Sequence, residues 1–119
     1  WRRHRLDFFA TPRAVGASTR PAMRPGIALG AMQLVVLGSG TAIPVADRFP
    51  AGYLLRHGSR RVLVDCGPGT LRRLAQAGES PRDLDAVLLT HYHTDHCADL
   101  AALLFALRSP TFAGRAPLR

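Results

Sequence analysis

Thr90-His91-Tyr92-His93-Thr94-Asp95-His96 sets three imidazoles and one carboxylate within six residues, directly behind the apolar run Ala86-Val87-Leu88-Leu89. Imidazole nitrogen and carboxylate oxygen are the donors that divalent zinc, manganese or iron accept. On an extended backbone side chains alternate, so His91 and His93 project to one side. Asp95 and His96 follow after a turn and can aim at a second point nearby. A single loop that supplies four ligands also lowers the cost of ordering them. A His-rich surface loop or isolated core histidines would be the bland alternative, and four donors placed straight after a buried-type strand weigh against it.

Working outward, Ala86 to Leu89 reads as a strand of buried-sheet character that delivers the chain into His91. Downstream, Ala98 to Arg108 reads as a buried helix ended by Ser109-Pro110. Upstream, Ser80-Pro81-Arg82-Asp83 has the capping order of a short helical turn. Thr70 to Ala77 carries Leu71, Leu74 and Ala75 at helical spacing and ends at Gly78. Gly67-Pro68-Gly69 breaks the preceding strand. Tyr53–Arg56 and Arg61–Asp65 are two strands around Gly58-Ser59, which reads as a hairpin tip. Residues 38–50 form a Gly- and Pro-containing loop, and Gln33–Leu37 is a first buried strand. The pattern is mixed α/β (α+β), with no internal repeat.

A chain of 119 residues has room for one domain, and 47% hydrophobic with 20% charged residues calls for a packed core. Its formal net charge of +8 comes entirely from Arg, with no Lys. Residues 1–31 hold six Arg and one acid, whereas 32–119 hold ten Arg and seven acids. The high charge therefore belongs mainly to the first segment, read as a basic tail that is disordered or non-native; a transit peptide is its alternative. The domain is expected over 32–119, with Met32 as the natural start. Cys66 and Cys97 have no paired spacing, which suits a reduced intracellular protein with two buried thiols. No apolar run approaches the ~18–20 residues of a membrane span, so no membrane partner is expected.

Thr90–His96 matches the HxHxDH signature and resembles the metallo-β-lactamase-fold hydrolases. Within them, Leu37-Gly38-Ser39-Gly40-Thr41-Ala42-Ile43-Pro44 and Val64-Asp65-Cys66-Gly67-Pro68-Gly69-Thr70 resemble the ribonuclease Z branch, which trims tRNA precursors on the 3′ side. The resemblance covers about 32–119 and implies the N-terminal part of an αββα sandwich. It implies that His91 and His93 bind one divalent ion and that Asp95 and His96 bind a second, both most simply zinc. The two ions would activate a water as the attacking hydroxide, with Asp95 also accepting a proton. Asp65 would act from behind the ligands, orienting the metal loop; an acid capping the Gly67–Thr70 turn is its equal alternative. The same resemblance implies a precursor-tRNA partner and a cytoplasmic enzyme, and is compatible with a homodimer of the full-length protein. His96 argues against antibiotic hydrolysis, since many true β-lactamases lack His there.

Gly38-Ser39-Gly40 is not a dinucleotide fingerprint, because Ile43 and Pro44 stand where a third small residue and a helix would be needed. By resemblance this loop lies near the metals and helps hold substrate. His4 and His57 are given no role, and Arg72 and Arg73 read as a solvated helix face. The family pattern needs further ligands: another His for each metal and a bridging Asp. After His96 the chain has no His, and Asp99 is its last acid. The expectation is thus an N-terminal fragment that alone binds metal weakly and catalyses poorly. Two alternatives stay open: a hydrolase of a small phosphodiester, sulfate ester or thioester, and a non-enzymatic basic RNA-binding fragment.

Overall fold

The structure is a computed structural model and describes residues 30–119; the tail expected over 1–31, with His4, falls outside the described residues except for Gly30 and Ala31, which are exposed and in no regular element. The described chain begins in β1 (Gln33–Gly38) and runs into the hairpin β2 (Gly52–His57) and β3 (Arg60–Val64). Helix α1 (Thr70–Gln76) and a short 3-10 turn (Pro81–Asp83) then carry it to β4 (Ala86–Leu88). Two helices follow, α2 (Thr94–Cys97) and α3 (Leu100–Ala106), and a 3-10 turn at Pro110–Phe112.

The four strands form one sheet in the order β1-β2-β3-β4. The first three are antiparallel, with Leu34 opposite Leu55 and Leu55 opposite Val62. β3 and β4 are parallel, Leu63 facing Val87, as a crossover through a helix requires. The hairpin tip lies at Gly58-Ser59, where the sequence places it. Ser80 accepts from the Arg82 N–H at 3.2 Å, the capping expected there.

One face of the sheet holds the core. Leu54, Leu63, Leu74 and Leu103 are fully buried, with Leu37, Cys66 and Leu84 in the same cluster. Each such leucine contributes roughly 1.5–3 kcal/mol through burial. α1 and α3 are tied together here, because Asp99 accepts from the Leu71 N–H at 3.1 Å. Through that contact the last acid of the chain caps a helix whose own N-cap is Gly69.

The opposite face is apolar but open. Leu34, Val36, Tyr53, Leu55, Val62, Val64 and Leu88 share it by register, and Leu34, Val36 and Leu88 are exposed by 60%, 52% and 55%. The reading of β1 and β4 as buried strands is corrected accordingly: among the described residues they are packed on one face only. The buried helix expected over 98–108 is likewise corrected. It is α3 alone, with Leu103 buried but Leu104 and Phe105 exposed by 51% and 80%, because the helix lies on the sheet by a single stripe. Cys66 is buried as expected, whereas Cys97 is only half-buried.

Arg72 is exposed, but Arg73 departs from the solvated-face reading. Its Nε donates to the Leu37 carbonyl at 3.1 Å, and its guanidinium lies over the Phe49 ring, 5.7 Å from the centroid. The long side chain spans the gap between α1 and the end of β1, and its stem packs there.

Candidate metal centre

β4 ends at Leu88, and the loop of interest follows at once. His93 takes the N-cap of α2 in extended conformation, φ −64° and ψ 148°. The chain changes direction there, so Asp95 and His96 fall in a helical turn while His91 and His93 precede it. The structure brings the imidazoles together: the His91 and His93 ring centroids are 4.7 Å apart, edge to face, and those of His91 and His96 are 3.9 Å apart.

The loop is anchored from beneath by the segment after β3. The Cys66 N–H donates to the His96 carbonyl at 2.7 Å, and the Asp99 N–H donates to the Cys66 carbonyl at 3.0 Å. Gly67 lies so close that a Cβ built there would meet the Asp95 carbonyl oxygen at 2.0 Å. Only a residue without a side chain allows these two backbones to approach like this.

Asp65 holds the loop by its side chain. It is 2% exposed and adopts a left-handed φ of 60°, a conformation that costs a non-Gly residue on the order of 1 kcal/mol and survives only where its surroundings demand it. Here they do. Its carboxylate accepts from the Thr90 N–H at 2.8 Å, from the Thr90 hydroxyl at 2.9 and 3.0 Å, and from His96 Nδ1 at 2.8 Å. Its own N–H donates to the Leu88 carbonyl at 2.8 Å. None of these bonds goes to the Gly67–Thr70 turn. Burial alone would raise the Asp65 carboxyl, but the Thr90 N–H, His96 and the Thr90 hydroxyl outweigh it and hold the group below its ordinary value of 3.8.

An ionised carboxylate can only accept, so the proton on this bond is carried by His96 Nδ1. The Thr90 hydroxyl gives its one proton to Asp65. It can then only accept from His91 Nδ1, 3.0 Å away. One buried acid thereby sets two tautomers, directly at His96 and through Thr90 at His91. In the neutral form of either ring this leaves Nε2 with the lone pair. The sequence pattern alone assigns Thr90 no role; the available signal is a hydroxyl residue standing immediately before the first His.

The donor chemistry fits a divalent ion, and one pair has the spacing. His96 Nε2 lies 3.5 Å from Asp95 Oδ2, close to the about 3.3 Å that separates two donors of one tetrahedral ion at bonds near 2.05 Å. The fit stops there. Among the described residues no group of three or more His, Cys, Asp or Glu side chains is arranged to hold an ion. The imidazoles of His93 and His96 both lie against that of His91, but neither they nor Asp95 gather three or more donors about a common point among the described residues. His57 stands apart on the hairpin. No helix among the described residues is long and apolar enough to cross a membrane.

The sequence model of the metallo-beta-lactamase superfamily matches residues 46–118. Over 88 residues the chain is 42% identical to a ribonuclease Z of Mycobacterium sp. (strain KMS), a match covering 74% of this chain and 31% of that protein. It spans less than a third of that curated relative's length. Among solved structures, a metallo-beta-lactamase fold protein from Bacillus subtilis superposes with a TM-score of 0.59 at 41% identity, covering 63% of this chain and 31% of the other. The short form of human tRNase Z superposes with a TM-score of 0.58 at 31% identity, covering 62% and 29%.

Proposed function

The chain belongs to the metallo-beta-lactamase superfamily, and on that premise we propose that it supplies one half of a two-metal site to a phosphodiesterase that cuts precursor tRNA on its 3′ side. The observation that carries this reading is the loop itself: three imidazoles and a carboxylate in six residues, inside the matched stretch, with two of the rings fixed by a buried acid. The likeness to ribonuclease Z supports the choice of RNA among phosphodiester substrates.

In this reading His91 and His93 hold one divalent ion, and Asp95 and His96 hold the other. Two ions, here zinc, would supply positive charge at the attacked phosphate and lower the pKa of the attacking water. The protein's own residues do the rest. Asp65 keeps the Nδ1 proton of His96 in place and so presents Nε2 as a donor. Thr90 does the same for His91. Asp95 accepts the proton released when water attacks the phosphorus. The packing of Gly67 against the Asp95 carbonyl holds the backbone that carries that carboxylate. The remaining ligands, the RNA-gripping parts and a homodimer would come from the rest of the full-length protein, which the same reading places in the cytoplasm.

The test compares three substrates for the full-length protein: a precursor tRNA, an aryl phosphodiester and a thioester. Metal-dependent cleavage at the 3′ side of the tRNA, at least a hundredfold faster per molar enzyme than either small ester, is the expected result. Hydrolysis of a small ester with no cleavage of precursor tRNA would sink the RNA reading. RNA binding that is salt-sensitive but indifferent to a chelator, with no hydrolysis at all, would sink the enzyme reading.

A further inference from the structure

A cavity of about 470 Å³ opens between the loop after β1 and the metal loop. Its size is that of a small-ligand site. Pro44, Val45, Phe49 and Pro68 furnish apolar walls, and Arg48, Thr94 and Asp95 are the polar residues of the lining. The loop is held at its neck, where the Gly40 N–H donates to the Phe49 carbonyl at 2.7 Å. Phe49 itself is set firmly. Gly69, at φ 84°, lets the ring come so near that an added Cβ would meet its Cδ1 at 2.3 Å, and Arg73 covers the ring at 5.7 Å. A second cavity, of about 260 Å³, lies along the same two residues, Arg48 and Phe49, and is edged by Ser39, Asp47 and Arg73. The first is apolar and the second is polar.

We propose that the apolar cavity receives the nucleobase attached directly to the scissile phosphodiester; this rests on the RNA reading above and names the part of the substrate that the cavity selects. Pro44, Val45, Phe49 and Pro68 offer no hydrogen-bonding side chains, so most of the wall suits an apolar face, with Arg48, Thr94 and Asp95 as its polar exceptions. A flat uncharged group suits these walls, where an aromatic ring and two prolines can meet its π-face. Arg48, which lines both cavities, has the charge to meet the next phosphate along the strand. The site adjoins Asp95, so a base lodged here places its own phosphate beside the metal loop without any further movement.

Steady-state cleavage by the full-length protein tests this with two perturbations. One is a precursor tRNA with a single abasic nucleotide on the 5′ or the 3′ side of the scissile bond. The other is Ala46→Trp, at an exposed position lining the cavity, which fills the space without changing charge. The abasic substitution at one of the two positions is expected to raise KM by roughly tenfold. Ala46→Trp is expected to raise KM similarly for intact RNA and to leave KM for that abasic RNA unchanged, so the two effects do not add. Cleavage with KM unaffected at both abasic positions, or with effects that simply multiply, overturns the assignment and leaves the RNA reading standing. A rise in KM confined to an aryl phosphodiester in Ala46→Trp assigns the cavity to a small ester and overturns it too. Failure to cleave any RNA removes the RNA reading and the assignment together.

Discussion

Gly67→Ala is expected to move the metal loop, and the size of the effect follows from the geometry. Nothing in the backbone at this residue forbids a side chain, since its φ is not in the left-handed region. Taken alone, replacing Gly by Ala would stabilise by about 0.4–1 kcal/mol through the unfolded chain. Against that, the new Cβ would stand 2.0 Å from the Asp95 carbonyl oxygen and 2.9 Å from that of Ala51. Both are backbone atoms and cannot rotate away. To reach even the closest tolerated approach, 3.0 Å, the Asp95 segment must shift by about 1 Å. Overpacking of this kind costs about 1–3 kcal/mol, so the clash wins and the net loss is about 1–2 kcal/mol. A displacement of about 1 Å at a catalytic group costs on the order of a hundredfold in rate. The assay is urea denaturation of the full-length protein together with a zinc competition titration, with Arg72→Ala, an exposed position on α1, as control. The expected outcome is a lower unfolding midpoint and at least tenfold weaker metal binding for Gly67→Ala, and neither change for the control. If Gly67→Ala matched wild type in both measurements, the packing of residue 67 against the metal loop would be refuted.

Other outcomes follow from the same contacts. Asp65→Asn keeps the shape but turns a donor toward Thr90 or His96; metal affinity should fall by about 10–100-fold, and stability by about 1–3 kcal/mol, readable by the same titration and denaturation curves. Thr90→Val removes only the relay to His91 and should weaken metal binding by about tenfold while changing the melting temperature less than Asp65→Asn does. Burial, with Asp99 and Cys97 nearby, pushes the Cys66 thiol up from 9.0 to about 12. The folded state therefore holds that proton more tightly than the unfolded chain, so the contribution is intact below pH 9 and drains away as the pH rises toward 12. An alkylating reagent at neutral pH should label the half-buried Cys97 well before Cys66, and mass spectrometry of the peptides reports the order.

Much of the fold could be read from local pattern. The β2–β3 hairpin follows from two short apolar runs around Gly58-Ser59, and α1 follows from Leu71 and Leu74 with Gly78 behind them. The candidate loop could be singled out because all four possible donors sit on one stretch of chain. What local pattern could not tell was which faces the apolar strands cover. Val36 and Leu37 look alike in sequence, yet Val36 is half exposed and Leu37 is buried, since alternation assigns faces without saying what packs on them. The Asp65 grip was half visible. Its bonds to Thr90 and His96 join residues 25 and 31 positions apart, so only the folded chain chooses between them and a local cap. Arg73 and Asp99 escaped for the same reason, as each acts on another element across the fold.

The most direct test of the two-metal reading is metal content and precursor-tRNA cleavage for the full-length protein beside its His93→Ala variant. The wild type should hold two divalent ions per chain and cleave on the 3′ side in a metal-dependent way. The variant should lose an ion, with a drop in cleavage of at least a hundredfold. A wild-type protein that binds no divalent metal, or a His93→Ala variant that binds and cleaves as wild type does, would contradict that reading.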